Sequence, residues 1–294
     1  VAFRNGVILM TTTQGSVLVI GGTGHQGAAV IRHLRERGVP VRALVDKSNA
    51  GDVRALQAAG VTPVYASLDD EQSLVRAMRS AAALFFVLDD VHAGPADRLR
   101  TGRAIGDAAA QAGIGHVVYS ASTGPDHHIN ACDQSKEVER HLRELRLPLT
   151  ALHPATVMEE IPWYWLRRFA DGLVLATPFA ATTRLSLVSV DDMGGLAALA
   201  IASPERFIGM TIDVAGDTVS VTELAELLTE HLGERVSWSE VQVEGVFIYP
   251  EAARPPHDLA WLRSVYPDLH SASSWLEQSG GLELCRQVTA RTAV

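Results

Sequence analysis

Only two of the 294 residues are cysteine, Cys132 and Cys285, too few for a disulfide framework and without the paired spacing of a zinc site. No metal is expected, and a reducing cytoplasm is the expected compartment. Also absent is any apolar run of the ~18 residues that a membrane helix needs. The most apolar stretch, Ala81-Ala-Ala-Leu-Phe-Phe-Val-Leu88, falls far short of that. Basic residues are in deficit. A formal net charge of -9 argues against non-specific nucleic-acid binding, which needs a basic face, although not against a local basic patch. Internal repeats and low-complexity linkers are missing as well. The segment Val1–Met10 has neither the length nor the cleavage pattern of a signal peptide. Met10, followed by three threonines, reads as a more conventional start, so residues 1–14 are expected to form a loosely held extension. What remains is a chain 47% hydrophobic and 20% charged, which suits one large soluble domain or a domain with an appendage.

What is present is organised around Val17-Leu-Val-Ile-Gly-Gly-Thr-Gly-His-Gln-Gly27. A β-branched and aliphatic run ends in Gly21, Gly24 and Gly27. A helical pattern follows from Ala28 to Arg37, with Gly38 as its expected C-cap. Strand, glycine turn and helix in this order form a mononucleotide-binding unit. Gly21 permits a sharp turn, Gly24 a close approach of backbone to pyrophosphate, and Gly27 close packing of helix on strand. Asp46 closes the next strand, near the distance at which that fingerprint carries its ribose-binding acid.

Apolar strands then alternate with helical patterns. Strands are expected over 39–45, 61–66, 83–88, 116–122 and 149–153, the last stopped by Pro154, with helices over 52–59, 96–112 and 133–146. Asp69 stands three residues before Gln72, a capping-box spacing that opens a further helix. Near-continuous apolar strands separated by helices predict a doubly wound parallel sheet, an α/β Rossmann fold. Beyond residue 157 the rhythm loosens. Leu185–Val190 reads as a strand, Asp191 and Asp192 as the acidic start of a helix, and Ser220-Val-Thr-Glu223 as a capping box. The expected organisation is a dinucleotide-binding domain over 15–157 and a smaller C-terminal α/β substrate lobe over 158–294, interleaved with it.

Several segments together resemble the NmrA-like branch of the atypical short-chain dehydrogenase/reductases. The carriers are Gly-Gly-Thr-Gly-His-Gln-Gly at 21–27, Leu68-Asp-Asp70, Ser135-Lys-Glu-Val-Glu-Arg140 and His153-Pro-Ala-Thr-Val-Met-Glu-Glu160. Val188-Ser-Val-Asp-Asp-Met-Gly194 and Ser274-Trp-Leu276 echo later landmarks of that branch. The resemblance implies a dinucleotide across the C-terminal ends of the first and fourth strands. Its contacts would come from Gly21, Thr23, Gly24, His25, Gln26, Gly27, Asp46, Lys47, Leu68, Asp69, Leu88, Lys136 and Pro154. The resemblance also implies a departure. Active classical and extended members carry a tyrosine four residues before the helix lysine, and here Cys132 stands four residues before Lys136. A neutral thiol is a weak donor with an ordinary pKa near ~8.5. Ser122 matches the family's serine at the end of the fifth strand.

Asp46 would accept hydrogen bonds from the ribose hydroxyls, which favours NAD, with NADP as second choice through Lys47. The competing reading of Asp46 is a helix-capping acid. Lys136 is either a ribose ligand or a solvated helix lysine. Cys132 is either a pocket residue or an inert buried thiol. His127 and His128 are either acid–base candidates or loop surface. Trp163 and Trp165 are candidates to stack on a flat substrate, although Trp163, Tyr164 and Trp165 cannot all face one way.

The expected function is an NAD-dependent oxidoreductase acting on a flat aromatic or quinone-like small molecule, with aromatic polyketide reduction or oxygenation as a variant. Ser122 would orient the substrate oxygen, and the proton would come from water, a substrate group, His127 or His128. A homodimer is the expected assembly. The alternative is a non-catalytic redox sensor that binds dinucleotide and a protein partner.

Overall fold

Strands and helices alternate along the first half of the chain because each apolar run is too short for a helix and each amphipathic run too long for a strand. In order they are β1 (Ser16–Ile20), α1 (His25–Glu36), β2 (Val41–Val45), α2 (Ala50–Ala58), β3 (Thr62–Tyr65), α3 (Glu71–Met78), β4 (Ala81–Val87), α4 (Pro95–Ala112), β5 (His116–Ser120), α5 (Asn130–Glu144) and β6 (Leu149–Pro154). The second half carries β7 (Thr156–Val157), α6 (Glu160–Tyr164), β8 (Leu166–Phe169), β9 (Gly172–Thr177), β10 (Arg184–Val188), α7 (Val190–Ala202), α8 (Pro204–Phe207), β11 (Thr211–Val214) and β12 (Asp217–Ser220). It ends in α9 (Val221–Leu232), β13 (Val236–Glu240), α10 (Leu259–Val265), α11 (Ala272–Gln278) and α12 (Gly281–Arg291). The computed structural model describes residues 15–45, 50–88, 95–121, 130–170, 172–241 and 257–291.

Seven strands form the main sheet in the order β11-β6-β5-β4-β1-β2-β3. Neighbours from β3 through β1 and β4 to β6 pair in parallel. β11 runs the same way along β6: the Ala151 N–H donates to the Met210 carbonyl and the Ala155 N–H to the Val214 carbonyl, the same step along both strands. The order reverses direction between β1 and β4, the switch point at which doubly wound sheets bind ligands. Val17, Leu18 and Val19 are wholly buried, as expected of a strand covered on both faces.

The chain packs as two compact units. The first contains the described residues up to Ala121 with Gln134–Leu152 and Gly194–Ile212. Its core includes Leu74, Met78, Phe86, Ile105, Tyr119 and Leu142, with the Phe86 and Tyr119 rings stacked at 4.5 Å. The second contains His153–Met193 and the described residues from Asp213 onward. There β10 lies between β12 and β7, and β9 between β13 and β8. Met158, Leu175, Leu187, Leu228 and Trp275 form its core. The Ser220–Glu223 capping box opens α9 as its spacing predicts, and Gly233 ends it at φ 73°.

Several sequence expectations are corrected. α1 begins at His25, three residues before the predicted Ala28, because Gly24 takes the N-cap position in extended backbone. Gln26 and Gly27 therefore belong to its first turn. Arg37 is the C-cap, and Gly38 follows it at φ 70°. The cap of α3 is Asp70, whose side chain accepts from the Ser73 N–H, and not Asp69 with Gln72. Pro154 is the last residue of β6 and not a stop beyond it, since a strand end has no further ladder bond for proline to lose. β5 closes at Ser120, two residues before the predicted end. No helix among the described residues is long and apolar enough to cross a membrane.

Candidate dinucleotide site

The geometry at the end of β1 follows from its glycines. Gly21 adopts φ 85°, a conformation that side chains disfavour. The Gly24 N–H turns back onto the Gly21 carbonyl at 3.1 Å, and the Ala28 N–H makes the first helical bond, to the Gly24 carbonyl at 2.9 Å. The N–H groups of His25, Gln26 and Gly27 come before that first bond, so they lack helical partners. Gly24 supplies no side-chain cap, and the first turn of α1 holds no acidic residue. A methyl group on Gly27 would lie 2.1 Å from the Gly21 carbonyl oxygen, and one on Gly21 would lie 2.9 Å from the Val87 side chain. Only glycine lets this turn, this helix and the end of β4 meet so closely. A helix N-terminus bare of its own side-chain oxygens attracts an anionic group such as a pyrophosphate.

One side chain of the turn is tethered. The Ser120 hydroxyl, at the C-terminal end of β5, donates to Gln26 Oε1 at 2.8 Å. Ser120 carries no motif in the sequence, and its only signal there is its place at the end of an apolar strand. Thr23 and His25 are exposed, while Leu68 and Leu88 pack partly buried against the core of this unit. Asp69 is exposed and pairs with Arg100 at 2.6 Å. Lys136 is half-buried on α5. Cys132 lies on the same helix, one turn earlier, but its side chain is outside the described residues. Asp46, Lys47, Ser122, His127 and His128 are also outside them.

The second unit holds Pro154, Trp163 and Trp165. Trp163 is 47% exposed on α6. Trp165 turns the other way, against the core of that unit, with its ring edge-on to Phe179 at 5.8 Å. The two tryptophans thus have different surroundings, and Trp165 is mainly a packing residue. Asp192 emerges as a residue of a different kind. It is wholly buried, and its carboxylate accepts from the His270 backbone N–H at 3.0 Å and pairs with His270 Nδ1 at 2.8 Å. Burial raises its pKa, and the bonds to His270 oppose the rise. Glu159 accepts from the Val190 N–H at 3.0 Å and from the Trp275 indole at 3.1 Å, and burial raises its pKa too. Cys285 is buried, and burial pushes its thiol up to about 12, so it stays protonated. Tyr119 is also buried and pushed up to about 12, which makes it a core residue and not a stand-in for the missing tyrosine. Among the described residues no group of three or more His, Cys, Asp or Glu residues is placed to hold a metal.

Comparison with known proteins gives a consistent picture. The NmrA-like family matches residues 13–281. The NAD(P)H azoreductase of Xenophilus azovorans is 26% identical over 231 residues, spanning 78% of each chain. The structure of NmrA, a negative transcriptional regulator, in complex with NADP superposes with a TM-score of 0.80 at 20% identity, covering 93% of this chain and 98% of that one. The triphenylmethane reductase of Citrobacter sp., complexed with NADP(H), superposes with a TM-score of 0.73 at 20% identity, covering 93% and 99%.

Proposed function

The chain belongs to the NmrA-like family, and on that premise we propose that it is an NAD(P)-dependent oxidoreductase acting on a flat aromatic or quinone-like small molecule. The observation that carries the reading is the bare helix N-terminus behind Gly21, with Gly27 pressed against the Gly21 carbonyl. These residues fit a dinucleotide. The free N–H groups of the first turn of α1 would receive its pyrophosphate, and Gln26, held by Ser120, keeps that turn in register with β5. Bound there, the dinucleotide supplies a hydride. Lys136 is assigned to hold a ribose hydroxyl and Ser122 to orient a substrate oxygen. Asp46 favours NAD over NADP, because a 2′-phosphate would meet its charge. Reductases of azo and triphenylmethane compounds among the similar proteins support a flat aromatic substrate.

With Cys132 in the tyrosine position, general acid help from this helix is weak, and such help is worth ~10²–10⁴-fold. Turnover of simple ketones is therefore slow, and substrates that need no strong acid, such as quinones, are preferred. The test follows NADH and NADPH oxidation against a panel of quinones, azo and triphenylmethane dyes and simple ketones. Oxidation with the flat acceptors, faster with NADH, is the expected result. No oxidation with any acceptor, while calorimetry shows the dinucleotide bound, would move the assignment to the second reading.

That second reading is a dinucleotide-binding redox sensor. Cys132 in place of tyrosine favours it, and so does the structural likeness to NmrA, a negative transcriptional regulator. The half-exposed Trp163 serves either reading, as a substrate or a partner contact.

A further inference from the structure

A depression of about 500 Å³ opens in the first unit between the outer strands β2 and β3 and helix α3. Arg42 enters it from β2, on the same face as Leu44, which packs on the core. Among the described residues Arg42 has no acidic partner, and its one hydrogen bond is to the Ser80 hydroxyl at 2.6 Å. Burial lowers its pKa, as for a charge held partly out of water. Arg76 lines the same space from α3. The one carboxylate among its described lining residues, Asp70, is engaged: one oxygen caps α3 and the other lies 3.7 Å from Arg76. The depression is therefore cationic on a chain whose net charge is -9. Its remaining walls are not charged. Val64 and Ala77 contribute apolar surface, and the half-exposed Tyr65 adds an aromatic side chain.

We propose that this depression is a second ligand site, separate from the glycine turn, that takes a small aromatic carboxylate. A guanidinium offers paired N–H donors in a plane that matches a carboxylate. A flat ring would cover Val64 and Ala77 and lie against Tyr65. A free phosphate would use the arginines and leave the apolar walls wet, so it is the weaker ligand. The volume lies within the range of small-molecule sites. The proposal does not depend on the oxidoreductase reading, because none of its lining residues is among those assigned to the dinucleotide; Ser67 and Asp70 flank Leu68 and Asp69, which are, so NADH competition is part of the test.

The probes are benzoate, benzyl alcohol and inorganic phosphate, titrated calorimetrically into the full chain with and without saturating NADH. Benzoate is expected to bind saturably, with an affinity unchanged by NADH. Benzyl alcohol and phosphate should each bind at least about tenfold more weakly, the scale of a lost charge-assisted hydrogen bond or of the lost ring contacts. Arg42→Met should cost benzoate about tenfold or more, and Arg76→Met about threefold, since Arg76 is more exposed. If Arg42→Met does not fold, Ser73→Phe decides, because it fills the depression from the helix side. Equal binding of benzoate and benzyl alcohol, equal binding of benzoate and phosphate, displacement by NADH, or full affinity in Arg76→Met and Ser73→Phe would each overturn the proposal.

Discussion

Two strand-to-helix junctions invite comparison, β1–α1 in the first unit and β10–α7 in the second. Both deliver a chain from a buried strand into a helix N-terminus with unpaired N–H groups. At β10–α7 the protein answers those groups with its own side chains. The Ser189 hydroxyl accepts from the Asp192 N–H at 3.0 Å, the Glu159 carboxylate accepts from the Val190 N–H, and Asp191 and Asp192 place acids in the first turn. At β1–α1 it supplies no side-chain cap and no acid. The same backbone device is closed in one place and left available in the other. The difference separates structure from site: a junction that satisfies itself holds the fold, and one stripped to glycine receives a ligand.

The most severe way to break this contrast is to give the open junction a side chain. Gly27→Ala puts a methyl 2.1 Å from the Gly21 oxygen, so α1 must move away from the turn. Dinucleotide binding should be lost, with at least a hundredfold rise in Kd, and overpacking should cost about 1–3 kcal/mol of stability. Calorimetry with NADH and NADPH reads the first effect and urea unfolding the second. Unchanged affinity would show that the turn is not where the dinucleotide binds.

The matching break at the closed junction should have the opposite profile. Asp192→Ala strands the part-buried His270 N–H and ring nitrogen, so stability should fall by about 3 kcal/mol. Dinucleotide affinity, measured where the variant is still folded, should stay within about twofold of the parent. An equal loss of affinity would mean that the closed junction also serves the ligand.

Acid offers a way to perturb the first unit from the far end of its strands. His116 opens β5, and its Nε2 lies 2.8 Å from Thr150 Oγ1, whose own hydroxyl donates to the Phe207 carbonyl. That arrangement makes Nε2 the donor, and burial disfavours the charged ring, pushing its pKa down to about 4. In the unfolded chain it titrates near ~6.5. Stability from this residue is therefore complete above about pH 6.5 and is lost as pH falls towards about 4, by up to roughly 3 kcal/mol. Urea unfolding between about pH 7 and about pH 4.5 should show the slope, and His116→Gln should flatten it. A slope unchanged in that variant would assign the acid sensitivity elsewhere.

The contrast between the junctions also explains what could be read from the sequence. Gly21, Gly24 and Gly27 announce themselves because a residue without Cβ has few reasons to recur at that spacing after an apolar run. Strands β1, β4, β5 and β6 are legible for a similar reason, since each is a largely buried run, whereas β2 alternates buried and partly buried positions and the edge strand β3 is exposed at both ends. Several strands of the second unit are of similar length but only partly buried, as in β8 (Leu166–Phe169) and β12 (Asp217–Ser220). Their polar residues sit in place by pairing across the lobe, which local periodicity does not carry. β11 joins the main sheet from beyond α7 and α8, so its membership is set by tertiary packing alone. Asp192 reads as an ordinary first-turn acid. Its partner His270 is 78 residues away, and only the fold reveals that they pair and that Asp192 is buried. The cap of α3 was displaced by one residue because Asp69 and Asp70 are adjacent and chemically equal. What separates them is that Asp69 faces Arg100.

The smallest expected effect concerns the side-chain tether between the open junction and its neighbour. Ser120 reaches across from β5 to Gln26, and the bond is part-buried. Ser120→Ala removes a neutral hydrogen bond, which is worth about 1 kcal/mol of stability. If the tether only packs two elements together, the loss should appear in unfolding and nowhere else. If it holds the first turn of α1 in register for the pyrophosphate, Kd should also rise by about three- to tenfold. We expect the second result, because Gln26 is the second residue of the first turn of α1, where a small rotation would redirect all three free N–H groups. A double-mutant cycle with Gln26→Leu separates the alternatives. The two substitutions should lose affinity less than additively, because each removes the same bond. Ser120→Thr, which keeps the hydroxyl, should restore most of the affinity lost in the alanine variant. Fully additive losses, or no rescue by threonine, would leave Ser120 as a strand-end packing residue and the glycine turn as self-supporting.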